Sequence, residues 1–191
     1  RARIPCGWLR GTSALAAAGI AASPQPGTYA ADVSRPRTKT GRPFTVFTPF
    51  HRAQRDLERR AVLGLTETMT LPRGLDRGTL PRGPALEDVL PEPVCVPGER
   101  AARTAMNAWL NGPIDAYADR HDDLAGGTSA LSPYLRWGCL SPRELEQRAL
   151  DRGGKGAHAF VRQLAWRDFY AHVLLCFPEN ARHEFQERYR G

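Results

Sequence analysis

Hydrophobic residues recur at helical spacing in the second half of the chain, beginning near Glu99. In the stretch GERAARTAMNAWLNG, apolar side chains at every third or fourth position form one stripe, which ends at Gly112 and Pro113. The stripe consists of Ala102, Ala105, Met106 and Trp109. Because an α-helix has 3.6 residues per turn, this spacing predicts an amphipathic helix with one buried face. The chain after this point is nearly all helical in pattern, so a mainly α fold is expected.

A longer amphipathic helix is predicted over residues 157–178, AHAFVRQLAWRDFYAHVLLCFP. Its core-facing positions are Phe160, Leu164, Phe169 and Val173. Its other faces carry Arg162, Gln163, Trp166, Arg167 and Tyr170. Aromatic residues at helical spacing most often pack in a core. The same residues also offer a stacking plane, a cation and an amide to a nucleic acid, so the pattern alone leaves both interpretations open.

Two helices are predicted to start close together in GGTSALSPYLRWGCLSPREL, residues 126–145. Ser132 is read as the N-cap of the first helix, Gly138 as its end, and Ser141 with Glu144 as a capping box for the second. The unpaired N–H groups of two helix starts, beside several hydroxyls, suit an anionic phosphate. Ordinary helix capping explains the same residues and is the commoner case.

The first half of the chain has weaker patterns. Residues 13–18 predict a short Ala-rich helix that ends at Gly19, although the arginines and the apolar run around it also imitate a secretory signal peptide. The β-forming residues of GRPFTVF predict an extended entry into a helix with Thr48 as N-cap and Pro49 as its first helical residue. Proline and glycine are frequent in residues 71–98, which indicates a linker or a long ordered loop.

Positive charge is concentrated in one segment of the chain. The formal net charge is +7, and residues 35–60 contain eight Lys or Arg against two acids. This segment is either a solvated basic face or a nucleic-acid contact surface. Four scattered cysteines signal neither a zinc site nor a disulfide framework and fit a reducing cytosol. No apolar run approaches the roughly 20 residues that span a bilayer, so a cytoplasmic protein without a membrane partner is expected.

Three motifs together resemble the DNA photolyase and cryptochrome family. TSALSPYLRWGCLSPREL and FVRQLAWRDFYAHVL are similar to the first half of that family's FAD-binding helical domain, and TKTGRPFTVFTPFHRA to the end of its α/β antenna domain. The motifs occur in the family's order. The resemblance implies that residues 1–60 are a remnant of the antenna domain, 61–98 the Pro-rich interdomain linker and 99–191 a partial FAD-binding helical domain. It also implies FAD as cofactor, with room in the family for a second, antenna chromophore that the chain does not identify.

The resemblance also carries binding residues onto this sequence. In the family the TSALS element, residues 128–132 of this sequence, cradles the phosphates of the flavin dinucleotide. The implied FAD-binding positions are Tyr117, Thr128, Ser129, Ala130, Leu131, Ser132, Phe160 and Arg167. The implied DNA-binding positions are Arg120, Gln163, Trp166 and Tyr170. No catalytic side chain and no metal ligand are implied, and we expect 128–132 and 163–170 to face one shared concavity.

The family's chemistry implies light-driven repair of DNA. In it, photoexcited reduced FAD donates an electron to a cyclobutane pyrimidine dimer flipped into the cavity, the ring splits, and the electron returns. The implied function is that of a DNA photolyase, a carbon–carbon lyase acting on dimer-containing DNA. Since the family's later flavin-facing residues do not occur in the sequence, we expect an internal or truncated fragment that is inactive alone. The alternative is a non-enzymatic helical remnant or cryptochrome-like module that binds nucleic acid weakly; the oligomeric state stays open.

Overall fold

The computed structural model of the chain describes residues 13–22, 28–64, 70, 73–74, 78–79, 95–123 and 125–189. Within these residues the regular structure is helical and contains no strand, which confirms the mainly α prediction. The α-helices are α1 (residues 13–17), α2 (Phe47–Arg55), α3 (Glu99–Leu110), α4 (Tyr117–Arg120), α5 (Ser132–Arg136), α6 (Pro142–Arg152) and α7 (Gly154–Cys176). Short 3-10 helices cover Pro113–Ala116, Pro178–Ala181 and Glu187–Tyr189. Most of the predicted linker lies outside the described residues, so the division into 1–60, 61–98 and 99–191 stays a prediction.

The main hydrophobic core forms where α3, α4, α6 and α7 pack together. The stripe predicted on α3 is its packing face, since Ala102, Met106 and Trp109 are buried. Phe160 and Leu164 of α7 belong to the same core, as the pattern predicted. Burial of apolar surface is the main favourable term in folding, so these faces determine how the four helices pack.

A second cluster joins residues 28–55 to the later part of α7. Phe47 and Phe50 of α2 pack there against Phe169 and Val173 of α7. Both α7 residues were predicted to be core-facing, and both are buried. The sequence pattern showed that this face of α7 needed a partner, and the structure identifies α2 as that partner.

Asp168 on α7 is a buried acid that binds two parts of residues 28–60, named here the N-terminal segment. Its Oδ2 accepts a hydrogen bond from the Ala31 amide at 3.1 Å and another from Gln54 Nε2 at 2.8 Å. Burial raises the pKa of Asp168 to about 6, and the Ala31 amide and the charge of Arg167 act more weakly in the opposite direction. A buried carboxyl group is costly unless its oxygens accept hydrogen bonds, so Asp168 fixes these two parts of the chain to α7.

His172, one turn further along α7, makes a second buried polar link. Its Nδ1–H donates to the Val33 carbonyl at 2.7 Å, and its Nε2 accepts from the Phe44 amide at 3.1 Å. A ring with one donating and one accepting nitrogen is the neutral form. Burial lowers the pKa of His172; the Val33 carbonyl opposes this shift, and the nearby Arg37 adds to it. His172 therefore holds the N-terminal segment as an uncharged side chain.

Arg59 ties the end of this segment to α6. Its Nε and Nη2 bind the two carboxylate oxygens of Glu146 at 2.8 and 3.0 Å, and its Nη1 donates to the Gln54 and Leu57 carbonyls at 2.8 and 3.0 Å. A two-pronged pair of this kind is among the stronger side-chain contacts. Part of the positive charge in residues 35–60 is thus used inside the fold.

Two predicted helix starts are too late, that of α2 by two residues and that of α5 by one. α2 begins at Phe47 rather than Pro49, and its capping position is Val46 rather than Thr48, in an extended conformation that provides no side-chain cap. α5 begins at Ser132 itself, so Leu131 rather than Ser132 occupies the capping position. A side-chain cap contributes only about 1 kcal/mol. Phe47 and Leu131 are both buried, and their packing outweighs that contribution.

The capping box predicted at α6 is formed only in one direction. Ser141 Oγ accepts from the Glu144 amide at 3.4 Å, as predicted. The Glu144 carboxylate instead binds Arg103 at 3.0 Å and approaches Arg148 at 3.8 Å. A guanidinium is a stronger partner for a carboxylate than a backbone amide, which explains the missing return bond.

α7 passes very close to the short helix Pro113–Ala116, and Gly156 is the point of contact. A Cβ atom on Gly156 would collide with the carbonyl oxygens of Ile114 and Asp115. Gly156 and Ile114 are both buried. This close approach determines where α4, which follows directly, lies against α7.

Candidate flavin and nucleic-acid site

One face of α7 lines a concavity of about 520 Å³, named here the Trp166 concavity. Its lining residues are His121, His158, Ala159, Arg162, Gln163 and Trp166. His158, Arg162 and Trp166 follow one another at four-residue steps and therefore share a face of the helix. The concavity thus combines an indole, an amide, a guanidinium and two imidazoles.

Trp166 is held in a fixed orientation by neighbouring rings. Its indole stacks on Phe47, with ring centroids 3.7 Å apart and planes 8° from parallel. Phe169 meets the indole edge-on at 5.7 Å. Tyr170 lies 5.6 Å away at an interplanar angle of 28° and is 63% exposed, so it extends the aromatic surface towards solvent.

A second concavity of about 540 Å³ lies beside the TSALS loop and is named here the Thr128 concavity. It is lined by Ala105, Ala108, Trp109, Pro113, Ala116, Arg120, Gly127, Thr128 and Ser129. The Trp109 Nε1–H is buried and has no hydrogen-bond acceptor among the described residues. The groups of the lining that can reach a ligand are the hydroxyls of Thr128 and Ser129 and the Arg120 guanidinium, whose Nη2 also donates to Asp123 Oδ2 at 3.2 Å.

The TSALS loop is folded tightly onto Arg120. Gly127 has a φ of 84°, and a Cβ there would come within 2.5 Å of the Arg120 carbonyl oxygen, so no larger residue fits without a shift. Ala130 has a φ of 52°, in the left-handed region that costs a residue with a side chain about 1–2 kcal/mol. The Leu131 amide donates to Ser129 Oγ at 3.3 Å and holds the turn. Backbone strain of this kind is characteristic of binding loops.

Three residues expected to bind FAD are packed in the core. Tyr117, Leu131 and Phe160 are 8%, 0% and 4% exposed. The Tyr117 ring meets Phe160 at 5.4 Å and Trp109 at 5.5 Å, both edge-on, and lies 5.6 Å from the His121 ring. Tyr117 therefore contacts one ring from each concavity, and burial is the main cause that raises its pKa.

The two groups of predicted site residues line two differently composed concavities. Thr128 and Ser129 line the first, and Gln163 and Trp166 line the second. Ala130 and Ser132 are exposed and line neither of these two. The two linings share no residue, and the Tyr117 ring contacts Trp109 of one and His121 of the other. That 128–132 and 163–170 face one shared concavity stays a prediction.

Two arginines lie in surroundings that the sequence did not predict. Arg120, expected to contact DNA, lines the Thr128 concavity beside the expected cofactor residues. Arg167, expected near the cofactor, donates to the Thr28 carbonyl at 2.6 Å and to the Leu135 carbonyl at 3.3 Å. In this structure Arg167 therefore connects the N-terminal segment to the end of α5.

Sequence reasoning missed His121, His158 and Phe47. The four-residue step from His158 to Arg162 and Trp166 was a signal that could have identified His158. No sequence pattern could have shown that His121 and Phe47 lie beside this face of α7, because both belong to other elements and reach it only in the folded structure. The His158 Nδ1–H donates to the Gly154 carbonyl at 2.7 Å, which leaves its Nε2 as the nitrogen available to a ligand.

The chain is similar in sequence to curated photolyases. It is 42% identical over 147 residues to the deoxyribodipyrimidine photo-lyase of Streptomyces griseus, a match that covers 76% of this chain and 32% of the relative. It is 41% identical over 152 residues to a deoxyribodipyrimidine photo-lyase of Thermus thermophilus, covering 78% of this chain and 34% of the relative. This chain belongs to the photolyase family. No protein-family model matches it.

The photolyase-family chain also has a similar solved structure. It matches the crystal structure of a bacterial class III photolyase from Agrobacterium tumefaciens with a TM-score of 0.77 and 25% identity, covering 95% of this chain and 41% of that one. Since the sequence matches cover 32% and 34% of the two curated relatives, the chain spans about a third of their length. Across the described residues, none of the helices is both long and apolar enough to cross a membrane.

Proposed function

We propose that this photolyase-family chain forms one side of the FAD site and of the adjoining DNA site in a DNA photolyase, a lyase that splits pyrimidine dimers in light. The observation that carries the proposal is that two concavities of different chemistry adjoin one ring cluster around Tyr117. One has an apolar wall with two hydroxyls and the Arg120 guanidinium, which also pairs with Asp123, and the other offers an indole face. The first suits the phosphates of a dinucleotide, and the second suits an extruded base.

The residues of the Thr128 concavity fit a flavin dinucleotide. Thr128, Ser129 and Arg120 would hold phosphate oxygens, and Arg120 is better suited to this role than to the DNA contact predicted from the sequence. The remaining expected FAD residues would complete or support the loop: Tyr117, Ala130, Leu131, Ser132, Phe160 and Arg167.

The Trp166 concavity would receive a flipped pyrimidine dimer. Enzymes that act on an extruded base read it by stacking and by hydrogen bonds to its edge. Trp166 offers the ring face, Gln163 the amide and Arg162 a cation for a neighbouring phosphate. Tyr170 would extend the stacking surface beyond the concavity.

A bound reduced flavin would supply the electron that splits the dimer after light absorption. The chain's own residues would hold the dimer against Trp166, and the stacked base would cover the free face of the indole. The Tyr117 and Phe160 rings, packed at 5.4 Å, form a rigid support between the two ligand positions. A packed core of this kind keeps the separation of the two ligands constant, as electron transfer requires.

The test uses the full gene product that contains these residues. It should purify with bound FAD, seen as flavin absorption, and repair a dimer-containing oligonucleotide under blue light. Trp166→Ala should retain FAD but bind dimer-containing DNA about 5- to 150-fold more weakly, since stacking on an aromatic ring contributes about 1–3 kcal/mol per base. Trp137→Ala is the matched control, because that indole is 82% exposed and lines neither concavity.

Different outcomes contradict different parts of this proposal. A flavin-free product without light-dependent repair would contradict the photolyase function and favour a non-enzymatic nucleic-acid-binding module. Flavin binding without repair would favour a cryptochrome-like role. Equal losses of FAD and DNA affinity in Trp166→Ala would show that Trp166 is only a core residue.

A further inference from the structure

We propose that Phe47 on α2 is a positioning residue for Trp166: it sets the plane of the indole against which an extruded base stacks. The inference rests on the DNA role proposed for Trp166 and extends it to a residue of the N-terminal segment. Phe47 itself does not line the Trp166 concavity. It acts through the orientation of Trp166.

The stacking geometry limits what Trp166 can offer to a ligand. With centroids 3.7 Å apart and planes within 8° of parallel, the phenyl ring of Phe47 covers one face of the indole. Only the opposite face and the edge can then meet a base in the Trp166 concavity. Phe169 contacts the same indole at 5.7 Å with planes 80° apart, so two ring contacts at nearly right angles define the indole plane.

Phe47 is itself immobilised. Its side chain is 4% exposed, and the His51 ring stacks on it at 5.2 Å and 10°. The Arg162 guanidinium lies 5.6 Å from the centre of the Phe47 ring, and Phe169 meets that ring edge-on at 5.9 Å. His51, Phe47 and Trp166 thus form a stack of nearly parallel rings that joins α2 to α7.

The stack cannot shift easily because α2 is locked against α7. Gln54 of α2, 1% exposed, donates to the buried Asp168 carboxylate of α7 at 2.8 Å. A side chain held in its binding orientation loses little freedom when the ligand arrives, which increases affinity. The N-terminal segment thereby pre-organises the proposed lesion contact.

A purely structural role and a positioning role predict different results. If Phe47 only stabilises the fold, its replacement should change all binding properties together. If it positions Trp166, replacement should selectively weaken binding to DNA that carries a dimer, because undamaged DNA places no base on Trp166. The ring itself, rather than apolar volume, should be required.

The experiment compares three variants of the full gene product with bound FAD. Phe47→Leu removes the ring and keeps apolar volume, and Phe47→Tyr keeps the ring. Phe50→Leu is the matched control, since it removes an equally buried ring from the same cluster. Within the described residues, the ring contacts of Phe50 are with Phe44, Phe169 and His172 and not with Trp166.

Phe47→Leu should bind a dimer-containing oligonucleotide about 2- to 10-fold more weakly, the range expected when one side chain must be ordered on binding. Phe47→Tyr should restore the affinity, and Phe50→Leu should leave it unchanged. Affinity for undamaged DNA and FAD content should stay constant in all three.

The near-ultraviolet circular dichroism signal that Trp166→Phe removes should shrink in Phe47→Leu and persist in Phe50→Leu. Should Phe47→Leu fail to fold, Phe47→Met makes the same comparison.

Wild-type affinity of Phe47→Leu for dimer-containing DNA, together with a loss in Trp166→Ala, overturns the inference and leaves the proposed function standing. Equal losses in Phe47→Leu and Phe50→Leu also overturn it, because they show a general packing effect. If Trp166→Ala binds dimer-containing DNA as the wild type does, the DNA role of Trp166 fails and the inference fails with it.

Discussion

At the scale of single residues, Ala130 shows how the TSALS loop departs from ordinary backbone geometry. It is exposed, and its φ of 52° lies in the region that disfavours any side chain. The Leu131 amide, bound to Ser129 Oγ, and the contact of Gly127 with Arg120 hold the loop in this shape. The strain lies beside the hydroxyls that line the Thr128 concavity, which is consistent with a loop shaped for binding.

Ala130→Gly should therefore raise the free energy of unfolding by about 0.5–1 kcal/mol. Glycine removes about 1–2 kcal/mol of strain from the left-handed backbone of the folded state. It also makes the unfolded chain more flexible, which takes back about 0.4–1 kcal/mol of that gain. Urea denaturation measures the change. Ala108→Gly, at an exposed position of α3, is the control and should destabilise by about 0.5–1 kcal/mol. If both variants are destabilised equally, Ala130 is not strained.

Asp168 should make the stability depend on pH. Its folded pKa of about 6 lies above the usual value of 3.8, so its stabilising contribution is complete below pH 3.8 and is lost as the pH rises through 6. Asp168→Asn retains an oxygen that can accept from Ala31 and Gln54 but does not ionise. The free energy of unfolding of the wild type relative to this variant should fall between pH 4 and pH 7, measured by urea denaturation at several pH values.

His172 contributes a pH dependence of the free energy of unfolding that is opposite to that of Asp168, and the comparison with Asp168→Asn removes it. Its pKa is lowered from the usual 6.5, so its contribution is complete above pH 6.5 and is lost as the pH falls through the lowered value. Since His172 is present in both proteins, its effect cancels in the difference between wild type and Asp168→Asn. A difference that does not change with pH would contradict the raised pKa of Asp168.

At the scale of elements, α7 combines three roles along its length. Its start packs against Pro113–Ala116 through Gly156, its middle lines the Trp166 concavity, and its last turns bind residues 28–55 through Asp168 and His172. The apolar period predicted the core face correctly. It did not predict the polar links, because their partners lie far away in the chain.

Gly156→Ala should destabilise the fold by about 1–3 kcal/mol, the usual cost of overpacking a buried position. The added methyl group would push α7 away from the Ile114 and Asp115 carbonyls, neither of which is at the end of a flexible side chain. The melting temperature reports the loss. Gly126→Ala is the control, since its Cβ would lie 3.7 Å from Arg120 Nη2, an ordinary contact distance. Similar melting temperatures for the two variants would show that the contact at Gly156 yields at little cost.

At the scale of the whole molecule, both concavities are open to solvent among the described residues. Thr128, Gln163 and Tyr170 are not buried, although the proposed ligands would need most of their surface covered. Large apolar side chains such as Leu63 and Trp137 are 83% and 82% exposed. Over the part of the chain that the structure describes, the two concavities are therefore not enclosed.

Expressed as these 191 residues alone, the chain should purify without FAD and show no light-dependent repair. Ligand sites normally bury about 70–90% of their ligand, and the two open concavities do not provide that enclosure. Exposed apolar side chains should also promote self-association. Visible absorption and a blue-light repair assay measure the outcome. A yellow, repair-competent preparation would contradict the prediction and would mean that another chain, such as a second copy, closes the site.

The sequence by itself determined the helices of residues 99–176, their core faces and the TSALS loop. Helical period and turn residues act over a few positions, so they can be read locally; the exact starts were missed because a cap is weaker than the packing of Phe47 or Leu131. Only the tertiary structure decided that Phe47 stacks on Trp166, that Asp168 holds residues 31 and 54, and that the proposed sites occupy two concavities. The contacts of Trp166 and Asp168 join residues more than a hundred positions apart, and their geometry exists only once α2 and α7 have docked.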